Sequence, residues 1–404
     1  MLKGKNIVLC VTGGIAAFKA VSVASGLVKK GARVDVIMTK HAQEFVTPLS
    51  FRSITKTPVV TDMFEEPDVT EIAHISLAQR ADAFVIAPAT ANIIGKLSWG
   101  IADDMVSTTV MATKAPVIIV PAMNTNMYEN PIVQENMARL KAHGYIFMEP
   151  DNGPLACGTS GAGRLPEPEA IVERVDYEIG CPKDLKGLKV LVTAGPTREA
   201  IDPVRYITNG SSGKMGIAVA KAAVMRGAEV VLVSGPVNIP APMGAETVNV
   251  TTAEEMYEAV TSRSAGQDMI IKTAAVADFR PASVSGDKIK KEAGASEIKL
   301  ERTRDILAEL GKNKPKGQVL VGFCMETREL LESAGRKLKN KNLDIIAANN
   351  LTVPGAGFGT DTNVVTLLYA DGRENAELNG SKEDIAYAIL SEAAELLHKK
   401  RGEA

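Results

Sequence analysis

His74, Asn124 and Cys157 stand far apart in the chain, and each is of a residue type that can take part in chemistry. An imidazole can carry a proton near neutral pH, a carboxamide offers a donor and an acceptor together, and a thiol can give up a proton. Asn124 lies in Pro121-Ala122-Met123-Asn124-Thr125-Asn126-Met127-Tyr128-Glu129-Asn130-Pro131, directly after an apolar β-branched run. Ligands of open α/β sheets collect at the carboxyl ends of strands, where such a residue would sit. Each of the three also has a structural reading. Asn124 could cap a helix starting near Pro131, His74 could be an ordinary residue of a mixed helix face, and Cys157 a small buried hydrophobe.

Three further clusters have the composition of anion sites. Gly13-Gly14 falls between a strand-like run and a helix-like one, which either presents backbone N–H groups and a helix dipole to a phosphate or simply makes a tight turn. In the second half, Leu191 to Glu199 (LVTAGPTRE) ends a strand in a tight turn, and Arg205 to Gly216 (RYITNGSSGKMG) then opens a helix with glycines and small hydroxyl residues. The spacing is not that of a Walker A loop, because Lys214 is followed by Met215. Ala274 to Pro281 (AAVADFRP) leads into Asp287-Lys288-Ile289-Lys290-Lys291, which is either a solvated basic face or, with Asp278 and Lys288 flanking a strand end, part of a nucleotide site.

The elements that must position these residues follow from periodicity. In the first half, β-branched runs at 6–11, 33–38, 83–87 and 117–120 alternate with amphipathic stretches at 15–30, 74–80, 103–112 and 131–143. That rhythm predicts a parallel sheet covered on both faces. A Gly-rich stretch at 151–164 (DNGPLACGTSGAGR) shows no periodicity and reads as a binding loop or lid. After a helix over 167–178, the turn-rich Gly180 to Asp184 places a boundary at about residue 185. The rhythm then restarts, with strands at 188–193, 229–233, 269–273, 318–323 and 344–348 and helices at 213–226, 253–262, 304–311, 328–340 and 382–398. The prediction is two α/β domains, 1–184 and 185–404, each a doubly wound, mainly parallel sheet.

Length and composition agree with that division. A chain of 404 residues exceeds what one core sustains. Aromatics are only 4%, so Val, Ile, Leu and Ala must fill the layers. With 46 Lys and Arg against 48 Asp and Glu, the formal charge of −2 offers no general attraction to nucleic acid or an anionic membrane. Anionic ligands therefore need local sites. The four cysteines are scattered without a C-x-x-C pair, which argues against zinc and a disulfide framework and favours a reducing compartment. The apolar N-terminus is broken by Gly13-Gly14 and Lys19 and closed by Lys29-Lys30, so it reads as strand, turn and helix rather than a membrane span.

Taken in order, VTGGIAAFKA, the position of His74, ATANIIGKLSWGIADD, PAMNTNMYENP and ACGTSGAGRL resemble the homo-oligomeric flavin-containing cysteine decarboxylases. RYITNGSSGKMG and AAVADF followed by KIKK resemble the ligase half of the bifunctional phosphopantothenoylcysteine decarboxylase/phosphopantothenate-cysteine ligase family of coenzyme A biosynthesis, and the likeness spans nearly the whole chain. Tyr128, where many relatives carry Trp, keeps an aromatic; Arg304, where relatives commonly have Pro, could add a phosphate contact or pair with Glu301.

The resemblance implies two Rossmann-like domains, cytoplasmic, acting on small molecules. In the first, FMN is held by Gly13, Gly14, Ile15, Thr39, Thr90, Ala91, Asn92, Ile93 and Ala122. Loss of CO₂ from a cysteinyl carboxylate needs an electron sink, which flavin oxidation of the thiol supplies. His74 assists that step, Asn124 orients the carboxylate, and Cys157 donates the proton in the final reduction. In the second, phosphopantothenate is activated by CTP with Mg²⁺ and the acyl-nucleotide is taken by the amine of cysteine. Lys288 stabilises developing charge and Asn209 acts on the acyl-nucleotide. Arg205, Lys272, Thr273, Ala274, Asp278, Arg304, Asp305, Ile306, Leu307, Phe323, Lys337 and Lys341 complete that site, with Lys272 to Ala274 and Asp278 at the base and ribose. The assembly implied is a homo-oligomer of decarboxylase trimers linked by ligase dimers, of which a dodecamer is one closed form. A flavin prenyltransferase-like or peptidyl-cysteine decarboxylase domain fused to an unrelated partner, and a relative that has lost catalysis, are the alternatives; the ligase motifs disfavour the first, and the presence of His74, Asn124 and Cys157 the second.

On this reading Cys157→Ser retains CO₂ release but stalls before the final reduction. Mass analysis of the product decides the matter, and normal aminothiol from the variant would overturn the role.

Overall fold

The run Asn6–Val11 (β1) carries no charge and is buried along almost its whole length, as a strand in the middle of a parallel sheet must be. It opens a computed structural model that describes residues 2–64, 72–154, 158, 160–290, 297–326, 330–350 and 359–402. The chain divides into two units, Met1–Pro182 and Lys183–Ala404.

In the first unit β1 is followed by Ala17–Lys29 (α1), Arg33–Met38 (β2), a 3-10 turn at Lys40–Glu44, Pro48–Thr55 (α2), Val59–Val60 (β3), Ala73–Arg80 (α3), Ala83–Ala89 (β4), Ala91–Ser98 (α4) and Met105–Ala112 (α5). Val117–Pro121 (β5), Thr125–Tyr128 (α6), Pro131–Ala142 (α7), Ile146–Phe147 (β6), Asp151–Pro154 (β7), Ser160–Arg164 (β8) and Pro168–Ile179 (α8) complete it. Six parallel strands lie in the order β3-β2-β1-β4-β5-β6, so the winding reverses between β1 and β4. Alternation sorts the core into two layers. Ile7, Leu9 and Val11 pack with α1, α2 and α8 on one face, while Val8 and Cys10 pack with α3, α4, α5 and α7 on the other. The Gly-rich stretch expected to be irregular instead pairs β7 with β8 as an antiparallel ribbon.

The second unit runs Lys189–Ala194 (β9), Arg198–Ala200 (β10), Tyr206–Thr208 (β11), Lys214–Met225 (α9), Glu229–Ser234 (β12), Ala245–Asn249 (β13), Ala253–Ser264 (α10), Met269–Lys272 (β14), Phe279–Pro281 (β15) and Leu300–Arg302 (β16). Then come Ile306–Lys312 (α11), Val319–Glu326 (β17), Leu330–Asn340 (α12), Ile345–Asn350 (β18), Thr362–Tyr369 (β19), Ala376–Ser381 (β20) and Lys382–Arg401 (α13). The eight-stranded order is β13-β12-β9-β14-β17-β18-β19-β20, parallel through β18, with the last two strands antiparallel. Its winding reverses between β9 and β14. The α10, α11 and α12 side of the sheet holds one core around Leu191, Ile270, Leu320 and Ile346. The final turn of α13 is stitched to the sheet: Lys400 Nζ reaches Asp344 at 2.6 Å and the Gln318 carbonyl at 2.8 Å, and Arg401 pairs with Asp268. Asp344 also receives Lys314 at 3.1 Å and the Leu320 N–H at 2.8 Å.

Helix α9 can approach β9 only because residue 216 is glycine. A Cβ there would lie 2.5 Å from both Ala194 Cβ and Thr273 Oγ1. Gly216→Ala is therefore expected to destabilise the second unit by about 1–3 kcal/mol through overpacking, read as a lower urea midpoint for that unit with the first unit's transition unmoved. An unchanged midpoint would show that α9 has room to retreat.

Candidate functional site

At the winding reversal of the first sheet, Thr12 follows β1 and is only 2% exposed. Its hydroxyl donates to the Pro88 carbonyl at 2.7 Å and accepts the Thr90 N–H at 3.2 Å. The carboxyl ends of the two strands that part company there are thus tied by one buried hydroxyl. Thr90 caps α4 by accepting from Ile93 N at 3.4 Å, so Ala91, Asn92 and Ile93 form the first turn of that helix. Thr39, beyond β2, caps the 3-10 turn by accepting from Ala42 N at 3.2 Å.

Above these strand ends opens a cavity of about 870 Å³, within the range of small-molecule sites. Gly13, Gly14, Ile15, Thr39, Thr90, Ala91, Asn92, Ile93, Ala122 and Asn124 all line it. Ile15 and Phe18, each 57% exposed, and Met127 add apolar surface that a planar ring system could cover. Gly13 has a packing reason of its own, because a Cβ there would fall 2.4 Å from His41 Cβ. Asn124 caps α6, accepting from Asn126 N at 2.9 Å. The cap of the Pro131 helix, which the structural reading assigned to Asn124, belongs to Asn130, whose Oδ1 accepts from Ile132 N at 3.0 Å.

Sequence reasoning passed over Thr12, Lys96, Asp104 and Arg164, which also line the cavity. Lys96 bridges Asp103 at 2.6 Å and Asp104 at 2.7 Å. Burial pushes the Asp104 carboxyl up, yet the Lys96 ammonium and the Ser107 N–H outweigh it and hold the group below the usual carboxylate range. Burial likewise works against the Lys96 charge, and its two carboxylates more than restore it. The pair was hidden in ATANIIGKLSWGIADD because the glycine-containing turn between α4 and α5 brings together residues eight apart. The β7–β8 ribbon supplies Pro154, Gly163 and Arg164 to the wall and docks through Met123 N to the Gly163 carbonyl at 3.0 Å. Cys157 lies outside the described residues. His74 is not brought to this cavity: it sits in the first turn of α3, half-buried, with Nδ1 buried and without a hydrogen-bond partner among the described residues.

The second unit repeats the strand-end arrangement with different chemistry. Thr193, buried in β9, accepts the Ala274 N–H at 3.1 Å on its hydroxyl, and its carbonyl takes the Thr273 hydroxyl. The Asn209 amide donates to the Ala275 carbonyl at 3.0 Å and to that of Val276 at 3.2 Å, docking the 205–216 loop on the end of β14. Arg205 pairs with Asp202 and donates to the Ile289 carbonyl at 2.9 Å, while Ile289 N donates to Asp202 at 3.2 Å. That guanidinium, aided by backbone N–H groups and opposed by desolvation, holds the Asp202 carboxyl well below its ordinary range. Arg205 thereby braces the segment bearing Lys288, which is itself exposed, as is Asp278.

On the far side of β14, Asp305 caps α11 by accepting from Ala308 N at 3.0 Å and receives Lys341 Nζ at 2.8 Å. Lys341 lies one residue beyond α12, its N–H bonded to the Lys337 carbonyl at 3.0 Å, and Phe323 is half-buried on β17. Two expectations change. Ile306 and Leu307 are core residues, leaving only their backbone for a ligand. Arg304 does not pair with Glu301, which Arg280 holds at 2.7 Å; it pairs with Glu254 and lies over the Tyr257 ring at 3.7 Å, so its charge is engaged. Among the described residues no group of three or more His, Cys, Asp or Glu is arranged to hold a metal ion, and no helix is long and apolar enough to cross a membrane.

Residues 1–180 match the Flavoprotein family model, and residues 185–397 match the model of the DNA/pantothenate metabolism flavoprotein C-terminal domain. The chain is 51% identical over 408 residues to the coenzyme A biosynthesis bifunctional protein CoaBC of Bacillus subtilis (strain 168), covering 100% of both chains. It is 43% identical over 394 residues to the protein of that name from Escherichia coli (strain K12), covering 97% of each. Among solved structures it is similar to the C-terminal domain of CoaBC (44% identity, 54% of this chain and 99% of that one, TM-score 0.47) and to a PPC decarboxylase mutant complexed with pantothenoylaminoethenethiol (27% identity, 44% and 99%, TM-score 0.40).

Thr12→Val keeps the shape of the first crevice but strands the Pro88 carbonyl and the Thr90 N–H. A stability loss of about 1–3 kcal/mol in the first unit is expected, measured by denaturant unfolding; a neutral result would mean that solvent or backbone shifts satisfy both groups.

Proposed function

The chain belongs to the family of bifunctional coenzyme A biosynthesis proteins, a phosphopantothenoylcysteine decarboxylase joined to a phosphopantothenate-cysteine ligase, and from that membership we propose how its two units work. Residues 1–184 are the decarboxylase, with FMN in the strand-end cavity, and residues 185–404 the ligase, using CTP and Mg²⁺ in the cytoplasm. The observation that carries the reading is the coincidence in one cavity of every residue that the resemblance assigned to the flavin. Its apolar wall and its threonine-capped turns suit a planar ring carrying a phosphate tail.

When bound, the flavin supplies the two-electron oxidation of the substrate thiol that makes loss of CO₂ feasible. Asn124, fixed at the mouth of α6, orients the departing carboxylate. Cys157 donates the closing proton where water is excluded. His74 reaches the chemistry from a neighbouring copy, which accounts for its absence from its own chain's cavity. Large exposed apolar side chains support such an assembly: Trp99 and Ile132 in the first unit, Val204 and Leu300 in the second. Trimers of the first unit linked by dimers of the second give a closed homo-oligomer, with the dodecamer as one form.

In the second unit the carboxylate of phosphopantothenate attacks the α-phosphorus of CTP, pyrophosphate leaves, and the cysteine amine then displaces CMP from the acyl-nucleotide. Backbone at 272–274 and Asp278 hold base and ribose, with Phe323, Lys337 and Lys341 completing the pocket. Lys288 meets the charge that develops on the phosphoryl group. Asn209, braced on two carbonyls, positions the acyl-nucleotide for the amine.

The purified protein should be yellow, and should release pyrophosphate from CTP only when phosphopantothenate and Mg²⁺ are present; a colourless protein inert toward every triphosphate would sink the proposal. Lys288→Gln is expected to cut pyrophosphate release by about 100-fold or more. Asn209→Asp should let acyl-nucleotide accumulate, seen by quenched-flow chromatography. Unchanged ligase turnover in both variants would refute this site.

A further inference from the structure

The cavity above the first sheet carries charge at two places besides the Lys96–Asp104 pair. On the β2 side stand Lys40 and His41, next to Thr39 and against the Gly13-Gly14 turn. The other place is made by Lys19, in the first turn of α1, and Arg164, the last residue of β8, both of which line the cavity. Lys19 Nζ donates to the two Glu167 carboxylate oxygens at 3.1 and 3.3 Å, and the Arg164 guanidinium donates to the same carboxylate. Arg164 directly follows Gly163, whose carbonyl takes the Met123 N–H at 3.0 Å, so it stands on the β5 side, close to Asn124 in the chain's path. β2 and β5 lie on opposite sides of β1. The two basic places therefore flank the reversal.

One carboxylate shared by two cations leaves a positive charge over, and that charge faces a cavity. The Glu167 side chain is 52% exposed and that of Arg164 41%, and ion pairs so open to water add little to stability. What the arrangement does is hold a guanidinium and an ammonium side by side, a donor set that suits the oxygens of a phosphomonoester. We propose that Lys19 and Arg164 seat the phosphoryl group of the decarboxylase substrate and so set a preference for a phosphorylated pantothenoyl arm. The proposal rests on the reading of this unit as a flavin-dependent phosphopantothenoylcysteine decarboxylase and goes beyond it, because that reading assigns residues only to the flavin and to the cysteinyl end. Two phosphomonoesters then enter the cavity, one on the flavin and one on the substrate. The Gly13-Gly14 turn, Thr39 and Lys40 answer the first with backbone N–H groups, a hydroxyl and a cation. The second is met at the other basic place. It lies on the side of Asn124, where the substrate carboxylate is oriented, and the flexible pantothenoyl chain lets the far end of the substrate come down there. Glu167 fixes both cationic side chains before the ligand arrives, so little ordering is left for binding to impose.

The test is decarboxylation by the full-length, FMN-loaded protein of phosphopantothenoylcysteine and of its dephosphorylated counterpart, pantothenoylcysteine, with CO₂ release giving kcat/KM for each. The parent should prefer the phosphorylated compound, and inorganic phosphate should compete with it. In R164Q and K19Q the preference should fall about 10- to 100-fold, through KM for the phosphorylated compound, and the competition by phosphate should weaken. R164K, which keeps the charge without the planar fork, should recover part of the preference. K19Q, on a separate element, decides the matter if R164Q does not fold. Titrations of the same proteins, stripped of flavin, with FMN and with riboflavin, followed by flavin fluorescence, tell the two phosphates apart. Variants that lose the parent's preference for FMN over riboflavin while keeping its substrate preference would give this place to the cofactor and overturn the assignment. A parent that takes both cysteine compounds equally, or variants that keep its ratio, would overturn it too and leave an ion-pair cluster that only braces the ribbon. A parent that binds no flavin and decarboxylates neither compound would defeat the reading of the first unit and this inference with it.

Discussion

A parallel sheet covered on both faces has no place for polar chemistry except the ends of its strands, and that restriction shapes both halves of this protein. In each unit the strand order reverses beside the first strand of the sheet, between β1 and β4 or between β9 and β14. In the first unit a cavity opens above the carboxyl ends beside that reversal. Residues that the sheet cannot tolerate within its layers gather there.

The strand ends at the two reversals are tied by the same device. Val11-Thr12-Gly13-Gly14 and Val192-Thr193-Ala194-Gly195 occupy equivalent places, and in each the threonine hydroxyl accepts an N–H from the chain leaving the strand across the reversal. One buried hydroxyl satisfies backbone that the parting strands would otherwise leave without partners. What differs is the lining. The first crevice mixes apolar side chains with a fixed Lys96–Asp104 pair and suits a ring that must be shielded from water. The second strand end carries Lys272 and Asp278, with Asp305 and Lys341 paired nearby at 2.8 Å.

The central strands were legible because uncharged β-branched runs admit few other readings. Runs such as 6–11 and 117–120 stand close to their final limits. The outer strands were less visible. β20 has Leu378 as its single large apolar residue and β3 and β6 are two residues long, so neither composition nor period marks them. The 151–164 ribbon escaped notice because its glycines carry no side-chain alternation, although backbone pairing needs none. At the sites, motif glycines and cap residues could be recognised from the sequence, since local chain geometry dictates them. Partners fixed by tertiary structure could not. Arg304 sits near Glu301 in the chain yet binds Glu254, and Lys96 meets Asp104 only once two helices have turned toward each other.

The stitching of α13 has a bearing on the order in which the protein is made. The first unit, Met1–Pro182, is compact by itself, so that half can fold while the ribosome is still extending the chain. The other half is denied this head start. Asp268 and Asp344, at the starts of two of its central strands, find the Lys189 N–H and Lys314 earlier in the chain, but Arg401 and Lys400 join them last, so that flank of the second unit is completed only by its final helix.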